Sequence, residues 1–131
     1  MRILLIEDDE SIREVLKMIL ETNMELGETR VDPAANGTEA ISCAKNACPD
    51  LVLLDLTLNG EDGFEVFNQL RETGGCANIP IIAVTAHSSA EMERETRNRG
   101  FAGFVTKPID FETTLFPLIK RIMEREYGQA A

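Results

Sequence analysis

Apolar residues in this chain arrive in two patterns. Unbroken aliphatic runs at Ile3-Leu4-Leu5-Ile6, Leu51-Val52-Leu53-Leu54 and, behind Pro80, Ile81-Ile82-Ala83-Val84 are those of strands buried on both faces. A short apolar run also suits a buried helix, but around Leu51–Leu54 the upstream Pro49 and the downstream Asn59-Gly60 favour a strand. Phe104-Val105-Thr106, after the turn Gly100-Phe101-Ala102-Gly103, predicts a shorter last strand. Thr29-Arg30-Val31-Asp32 is a poor strand, read as an edge one ending before Pro33.

The stretches between follow helical spacing. Ile12, Val15, Leu16, Ile19 and Leu20 form an amphipathic face behind Ser11-Ile12-Arg13-Glu14, a capping-box sequence. Asn36 and Glu39 cap a short helix through Ala40, Ile41, Ala44 and Ala47 that Pro49 stops. Gly63 opens a helix with Phe64, Val66, Phe67 and Leu70 apolar, terminated by Gly74-Gly75. Ser88 and Glu91 are expected to cap a helix from about Ser89 to Arg99. That helix is charged nearly all round, which implies weak packing or a waiting partner. Asp110 caps a final helix with Phe111, Leu115, Leu118, Ile119 and Ile122 on its face, and Pro117 should kink it or delay its start. Five strand–helix units in alternation predict one α/β domain on a parallel sheet over residues 1–126, with a frayed tail at 127–131 and no output domain.

Composition narrows the function. The chain of 131 residues is the size of one domain, and its formal net charge is −10. That charge argues against a nucleic-acid surface, which needs clustered Lys and Arg, and suits a domain that binds a cation or a basic partner. No apolar run approaches the roughly 20 residues of a membrane span, so no membrane is involved and a cytoplasmic location is expected. Cys43, Cys48 and Cys76 are odd in number and form no C-x-x-C pair, so they are read as small buried hydrophobes in a reducing compartment. The lone His87 has no evident metal partners.

Chemistry collects where the strands end. Strand one runs into Glu7-Asp8-Asp9-Glu10, strand three ends on Asp55, strand four on Thr85 and strand five on Lys107. In a doubly wound sheet these ends line one crevice. Converging acids repel unless a cation sits among them, and hard carboxylate oxygens suit Mg²⁺. A carboxylate, a divalent cation, a hydroxyl and an ammonium together can handle a phosphoryl group. Taken singly each residue has a plainer reading. The acids favour the N-terminus of the following helix, Asp55 ends a turn, Thr85 is a β-branched strand end, Lys107 a solvated turn lysine and Phe104 a core residue.

Taken together, Ile3–Glu10, Asp55 with Gly63, Val84-Thr85-Ala86 and Thr106-Lys107-Pro108 resemble the receiver domain of two-component response regulators, in order and over essentially the whole chain. The resemblance implies a flavodoxin-like (βα)5 three-layer sandwich with sheet order 2-1-3-4-5. It also implies a phosphorelay receiver that takes a phosphoryl group from a histidine kinase or histidine phosphotransfer protein onto Asp55. Mg²⁺, with Mn²⁺ as the alternative, would be held by Asp8, Asp55 and the Thr57 backbone carbonyl, with Glu7 acting through water. A register shift of one would make Asp8 and Asp9 the acidic pair. Lys107 and Thr85 would contact the phosphoryl oxygens, and Thr85 and Phe104 would switch the face formed by the fourth helix, fifth strand and fifth helix. Thr57 and His87 fall at positions that modulate water access. Such a protein is a regulator rather than an enzyme, catalysing only its own phosphorylation and dephosphorylation. Its expected partners are the phosphodonor and a downstream target or fused output domain, as a monomer or a phosphorylation-dependent dimer. The resemblance also suggests a cis Lys107-Pro108 bond. Asn59 stands where the family usually has proline, and Phe104 where tyrosine is commoner.

Three other readings fit less well. An Asp-nucleophile phosphohydrolase would carry a second acid two residues after Asp55, where this chain has Thr57. A nucleotide or flavin module would need a Gly- or hydroxyl-rich phosphate loop after strand one, and Glu7–Glu10 is its electrostatic opposite. A docking-only receiver would not need competent residues at every expected site position.

Overall fold

The computed structural model describes residues 1–128. Strands β1 (Arg2–Ile6), β2 (Arg30–Ala34), β3 (Leu51–Asp55), β4 (Ile81–Thr85) and β5 (Gly103–Thr106) pair in parallel as one sheet, in the order β2-β1-β3-β4-β5. Helices α1 (Glu10–Thr22), α2 (Gly37–Asn46), α3 (Gly63–Glu72), α4 (Ala90–Arg99) and α5 (Phe116–Tyr127) complete the predicted flavodoxin-like alternation. Because successive strand residues face opposite sides, each apolar run feeds two cores. Ile3, Leu5, Leu51, Leu53 and Ile82 pack with α1 and α5 through Leu16, Leu20, Ile119 and Ile122. Leu4, Ile6, Val52, Leu54 and Ile81 pack with α2 and α3 through Ala40, Ala44, Val66, Phe67 and Leu70. The result is helix, sheet, helix in three layers. Each large aliphatic side chain buried this way gains roughly 1.5–3 kcal/mol over exposure, which outweighs the polar cost of ending β3 on a buried carboxylate only because that carboxylate is paired.

The edge strand runs further than its sequence suggested. β2 continues through Pro33, whose partner in β1 is Leu5. The ring's missing N–H is tolerated because β2 pairs on one side only. Helix starts differ as well. The N-cap of α1 is Asp9, whose carboxylate accepts the Ile12 N–H, so the helix begins before Ser11 and that serine is not its cap. Leu16 and Leu20 are buried, while Ile12 and Val15, assigned to the core face, are 41% and 49% exposed. At α4 the cap is Ser89, accepting from Met92, not Ser88. Asn36 caps α2 as expected, and Glu39 reaches back past the cap to accept the Ala35 N–H. α3 ends at Glu72, before Gly74-Gly75.

Pro117 does delay the last helix. Asp110 caps a wide π-helical turn, Phe111–Leu115, and α-helix follows from Phe116 with the proline in its first turn, where its missing N–H costs nothing. Lys107-Pro108 is cis, as the resemblance suggested. The charged α4 buries only Thr96 of its own residues. Tyr127, assigned to a frayed tail, belongs to α5 and donates its hydroxyl to the Asp50 carbonyl at 2.6 Å; residues 129–131 of that tail lie outside the described residues. The reading of the cysteines as separate buried thiols needs correcting. Cys48 is exposed and pairs sulfur to sulfur with Cys76, 28 residues away, across a Cα–Cα distance of 6.1 Å. No short-range spacing announces such a pair.

Candidate functional site

The C-terminal ends of the parallel strands bring the predicted residues to one rim. Asp55 closes β3 with a carboxylate only 4% exposed, and Glu7, immediately after β1, is 2% exposed. Two buried carboxylates demand a cation, and Lys107, just past β5, supplies it. Its ammonium lies 2.7 Å from Asp55 Oδ2 and 2.9 Å from Glu7 Oε1. The other Asp55 oxygen, Oδ1, accepts the Thr57 N–H at 2.8 Å. Glu7 Oε2 accepts the Asp9 N–H at 3.0 Å, so both ends of each carboxylate are held.

These contacts set the charge states. Burial pushes the Glu7 carboxyl above its ordinary range, against the pull of the hydrogen bonds from Lys107 and Asp9, and the Asp55 charge adds to the rise. Burial by itself would lower the Lys107 ammonium, but its bonds to Asp55 and Glu7 outweigh that and hold it above the usual lysine value. Because Glu7 binds its proton more tightly folded than unfolded, its contribution to stability is full below the ordinary value of 4.5 and is lost as pH rises through the raised one. In metal-free buffer the thermal midpoint of Glu7→Gln relative to wild type should therefore climb as pH is raised from 4.5 towards neutrality. A difference that stays flat across that range would show that Glu7 feels no such burial.

One oxygen each from Glu7, Asp8 and Asp55 lies within 4.8 Å of the others, a spacing that one cation can bridge. All three donors are hard carboxylate oxygens, which fits Mg²⁺ or Mn²⁺ and not a thiolate- or imidazole-seeking metal. Asp9 is outside this cluster and is spent on capping α1, so the geometry favours Glu7 and Asp8 as the acidic pair.

Thr85 and Phe104 lie on paired strands two residues apart in register, with Ala83 opposite Phe104 and Thr85 opposite Thr106. The Thr85 hydroxyl is 1% exposed as a residue and turns back on its own loop, accepting the His87 N–H at 3.0 Å. It has no bond to Asp55 among the described residues. Phe104, partly buried, lines a cleft of about 440 Å³ between α4 and α5 with Phe101, Arg97, Leu118 and Arg121. His87 itself is exposed.

Several parts of the site were not foreseen. After Asp55 the chain makes a small antiparallel hairpin, Thr57–Leu58 against Glu61–Asp62, with Gly60 at φ 76° in its turn. Asn59-Gly60 is the dipeptide that signals such a hairpin, and it had served only to end β3. The hairpin is tied down twice. Asp8 Oδ2 accepts the Asn59 N–H at 2.8 Å, and Glu61 Oε1 accepts the Gly37 N–H at the start of α2, also at 2.8 Å. Arg13 was missed as well; its guanidinium donates to the Glu7 carbonyl at 2.8 Å and fixes the backbone that presents the acids.

Comparison with known proteins agrees with this geometry. A family model described as the response regulator receiver domain matches residues 3–118. The chain is 34% identical to the chemotaxis protein CheY of Halobacterium salinarum, over 82% of this chain and 84% of that protein. It is 33% identical to the DNA-binding dual master transcriptional regulator RpaA of Synechocystis, over 87% of this chain but only 46% of RpaA, so it spans about half of that relative. Among solved structures, the signal receiver domain of a DNA-binding response regulator from Colwellia psychrerythraea superposes with a TM-score of 0.82 at 31% identity, covering 94% of this chain and 98% of that one. With a match that takes in both acids after β1, Asp55, Thr85 and Lys107, the chain belongs to the response regulator receiver domain family.

Proposed function

We propose that this receiver domain is a phosphorylation switch whose acceptor is Asp55, charged from a phosphohistidine on a histidine kinase or histidine phosphotransfer protein. The observation that carries the reading is the Asp55 carboxylate itself: buried, held on Oδ1 by the Thr57 N–H and on Oδ2 by Lys107, and within one cation's reach of Asp8. Its oxygens are presented by a rigid strand end, so attack on phosphorus needs little reorganisation. Attack forms an Asp55 O–P bond as the phosphorus–nitrogen bond of the phosphohistidine breaks, and the imidazole leaves with its electron pair. Lys107, held charged, follows from the carboxylate to a phosphoryl oxygen, while Glu7 keeps it aimed into the site. Mg²⁺, or Mn²⁺ in its place, held by Asp8, Asp55 and the Thr57 carbonyl with Glu7 near, would supply charge neutralisation at the phosphoryl oxygens.

Phosphorylation brings about −1.5 to −2 charge to the end of β3. Thr85 would then trade its bond to the His87 N–H for one to a phosphoryl oxygen, opening space on the neighbouring strand for Phe104 to turn inward from the α4–α5 cleft. That would change the face formed by α4, β5 and α5, which is where a downstream target, a fused output domain or a second copy would read the signal. Thr57 and the exposed His87 flank the site and would set how readily water reaches the acyl phosphate. A cytoplasmic setting is in keeping with a kinase-fed switch. The expected result with acetyl phosphate as donor is stoichiometric labelling in Mg²⁺ that falls at least about 100-fold in Asp55→Asn, read by intact mass; equal labelling of the variant would remove Asp55 from its role.

The Asp8–Asn59 bond bears on metal affinity. As Asp8 turns to a cation it gives up, or shares, the acceptor that holds the hairpin tip. Asn59→Pro removes that donor, at the position where the family usually has proline. The variant should bind Mg²⁺ about 3- to 10-fold more tightly in a calorimetric titration, in line with the net worth of a typical hydrogen bond, about 0.5–1.5 kcal/mol. Unchanged affinity would mean that Asp8 serves both partners at once.

A further inference from the structure

Cys48 and Cys76 lie at the opposite end of the sheet from Asp55. Cys48 is exposed in the connection between α2 and β3, and Cys76, 3% exposed, is buried in the core face shared with α2. Their Cα atoms are 6.1 Å apart, inside the roughly 4.4–6.8 Å that a disulfide spans without moving backbone. A backbone acceptor lies beside each sulfur for when it carries a hydrogen: the Gly75 carbonyl is 3.2 Å from Cys48 Sγ and the Ala44 carbonyl 3.8 Å from Cys76 Sγ. The third cysteine is unlike them. Cys43 is half-buried, has no partner sulfur, and burial holds its thiol above the ordinary range, so it offers little thiolate.

We propose that Cys48 and Cys76 form a reversible two-electron redox site, closed by a hydroperoxide or a low-molecular-weight disulfide and reopened by a dithiol reductant. Cys48 is the sulfur that an oxidant can reach. Its thiolate attacks one peroxide oxygen, the O–O bond breaks, and hydroxide leaves with a sulfenic acid on Cys48. Cys76 then attacks that sulfur, the S–S bond forms as the S–O bond breaks, and the second oxygen departs as water; two thiols and one hydrogen peroxide become one disulfide and two waters. A low-molecular-weight disulfide reaches the same product by two exchange steps, releasing two thiols. The ring so closed contains β3, Asp55, the hairpin and α3, so oxidation staples the whole unit that carries the buried carboxylate. None of this depends on what Asp55 does.

The test uses the full chain, reduced and desalted, exposed to hydrogen peroxide or to oxidised glutathione. Free thiols counted after denaturation should fall from three to one, and tryptic fragments 46–71 and 72–94 should be recovered joined. The thermal midpoint should rise by about 10 °C, as expected for a ring of this length, and dithiothreitol should reverse all three changes. Cys43→Ser should respond as wild type and Cys48→Ser, an exposed substitution, should not form the cross-link. The proposal is overturned if thiols are lost without joining those fragments, whether to sulfinic acids, to glutathione retained on Cys48 or to dimers bridged through it, or if Cys43 is consumed first.

Discussion

Gly63→Ala should destabilise the domain by about 3 kcal/mol or more. A Cβ on Gly63 would stand 2.6 Å from the Leu56 Cα and 2.9 Å from the Leu56 carbonyl oxygen. These are backbone atoms, and they cannot swing away as a side-chain tip would. Leu56 is itself fixed, since its N–H donates to the Val84 carbonyl at 2.9 Å as β3 leaves the sheet. Relief must therefore come from shifting the segment that joins Asp55 to α3, and with it the Thr57 N–H that holds Asp55 Oδ1. Urea unfolding should show the loss in midpoint, and phosphoryl labelling should fall with it. Gly74→Ala is the control: its Cβ meets nothing within 4 Å and its φ is not positive, so it should stay within about 0.5 kcal/mol of wild type. Equal midpoints for the two variants would mean that the Leu56–Gly63 approach is not tight.

Lys107→Ala should cost about 3 kcal/mol in metal-free buffer near neutral pH. The substitution leaves Glu7 and Asp55 buried, 2% and 4% exposed, with no cation between them. Removing one partner of a buried ion pair is far more costly than the pair's own net worth, because the remaining charges keep their desolvation penalty. The figure is held to the low end because the Lys107 side chain is 23% exposed and water can enter where it stood. The sign of two rescues follows. Lowering pH protonates the carboxylates and should shrink the difference from wild type. Mg²⁺ should raise the midpoint of Lys107→Ala more than that of wild type, since it meets two carboxylates with no resident ammonium to displace. A small loss indifferent to both Mg²⁺ and pH would mean that the carboxylates are not paired through Lys107.

The parallel sheet was legible because four of its strands are aliphatic runs or a short apolar tail behind a glycine turn and the connecting stretches repeat at helical spacing; the edge strand β2 carries no such run, and the sheet order came with the family resemblance. The site was legible for a related reason: a doubly wound sheet gathers its strand ends, so the sequence alone places residues as distant as Glu7 and Lys107 together. What was not legible came from contacts that span the chain without a local period. Asp9 takes the cap of α1 from Ser11, two residues sooner than the box suggests, and Ile12 and Val15 lie on the exposed side of the apolar stripe. The pairing of Cys48 with Cys76 depends on two loops meeting at the far edge of the sheet. The hairpin after Asp55 was within reach, since Asn59-Gly60 carries it, but its anchors on Asp8 and on Gly37 are tertiary.

The most direct measurement locates the phosphoryl group. Protein incubated with acetyl phosphate and Mg²⁺ is reduced with borohydride, which converts an aspartyl phosphate to homoserine, and the modified residue is read by peptide sequencing in the mass spectrometer. Homoserine at position 55, absent when Mg²⁺ is withheld and absent from Asp55→Asn, is the expected result. Homoserine at position 8, label that survives borohydride on another residue type, or no label on well-folded protein in the presence of Mg²⁺ would contradict the assignment of Asp55 as the acceptor.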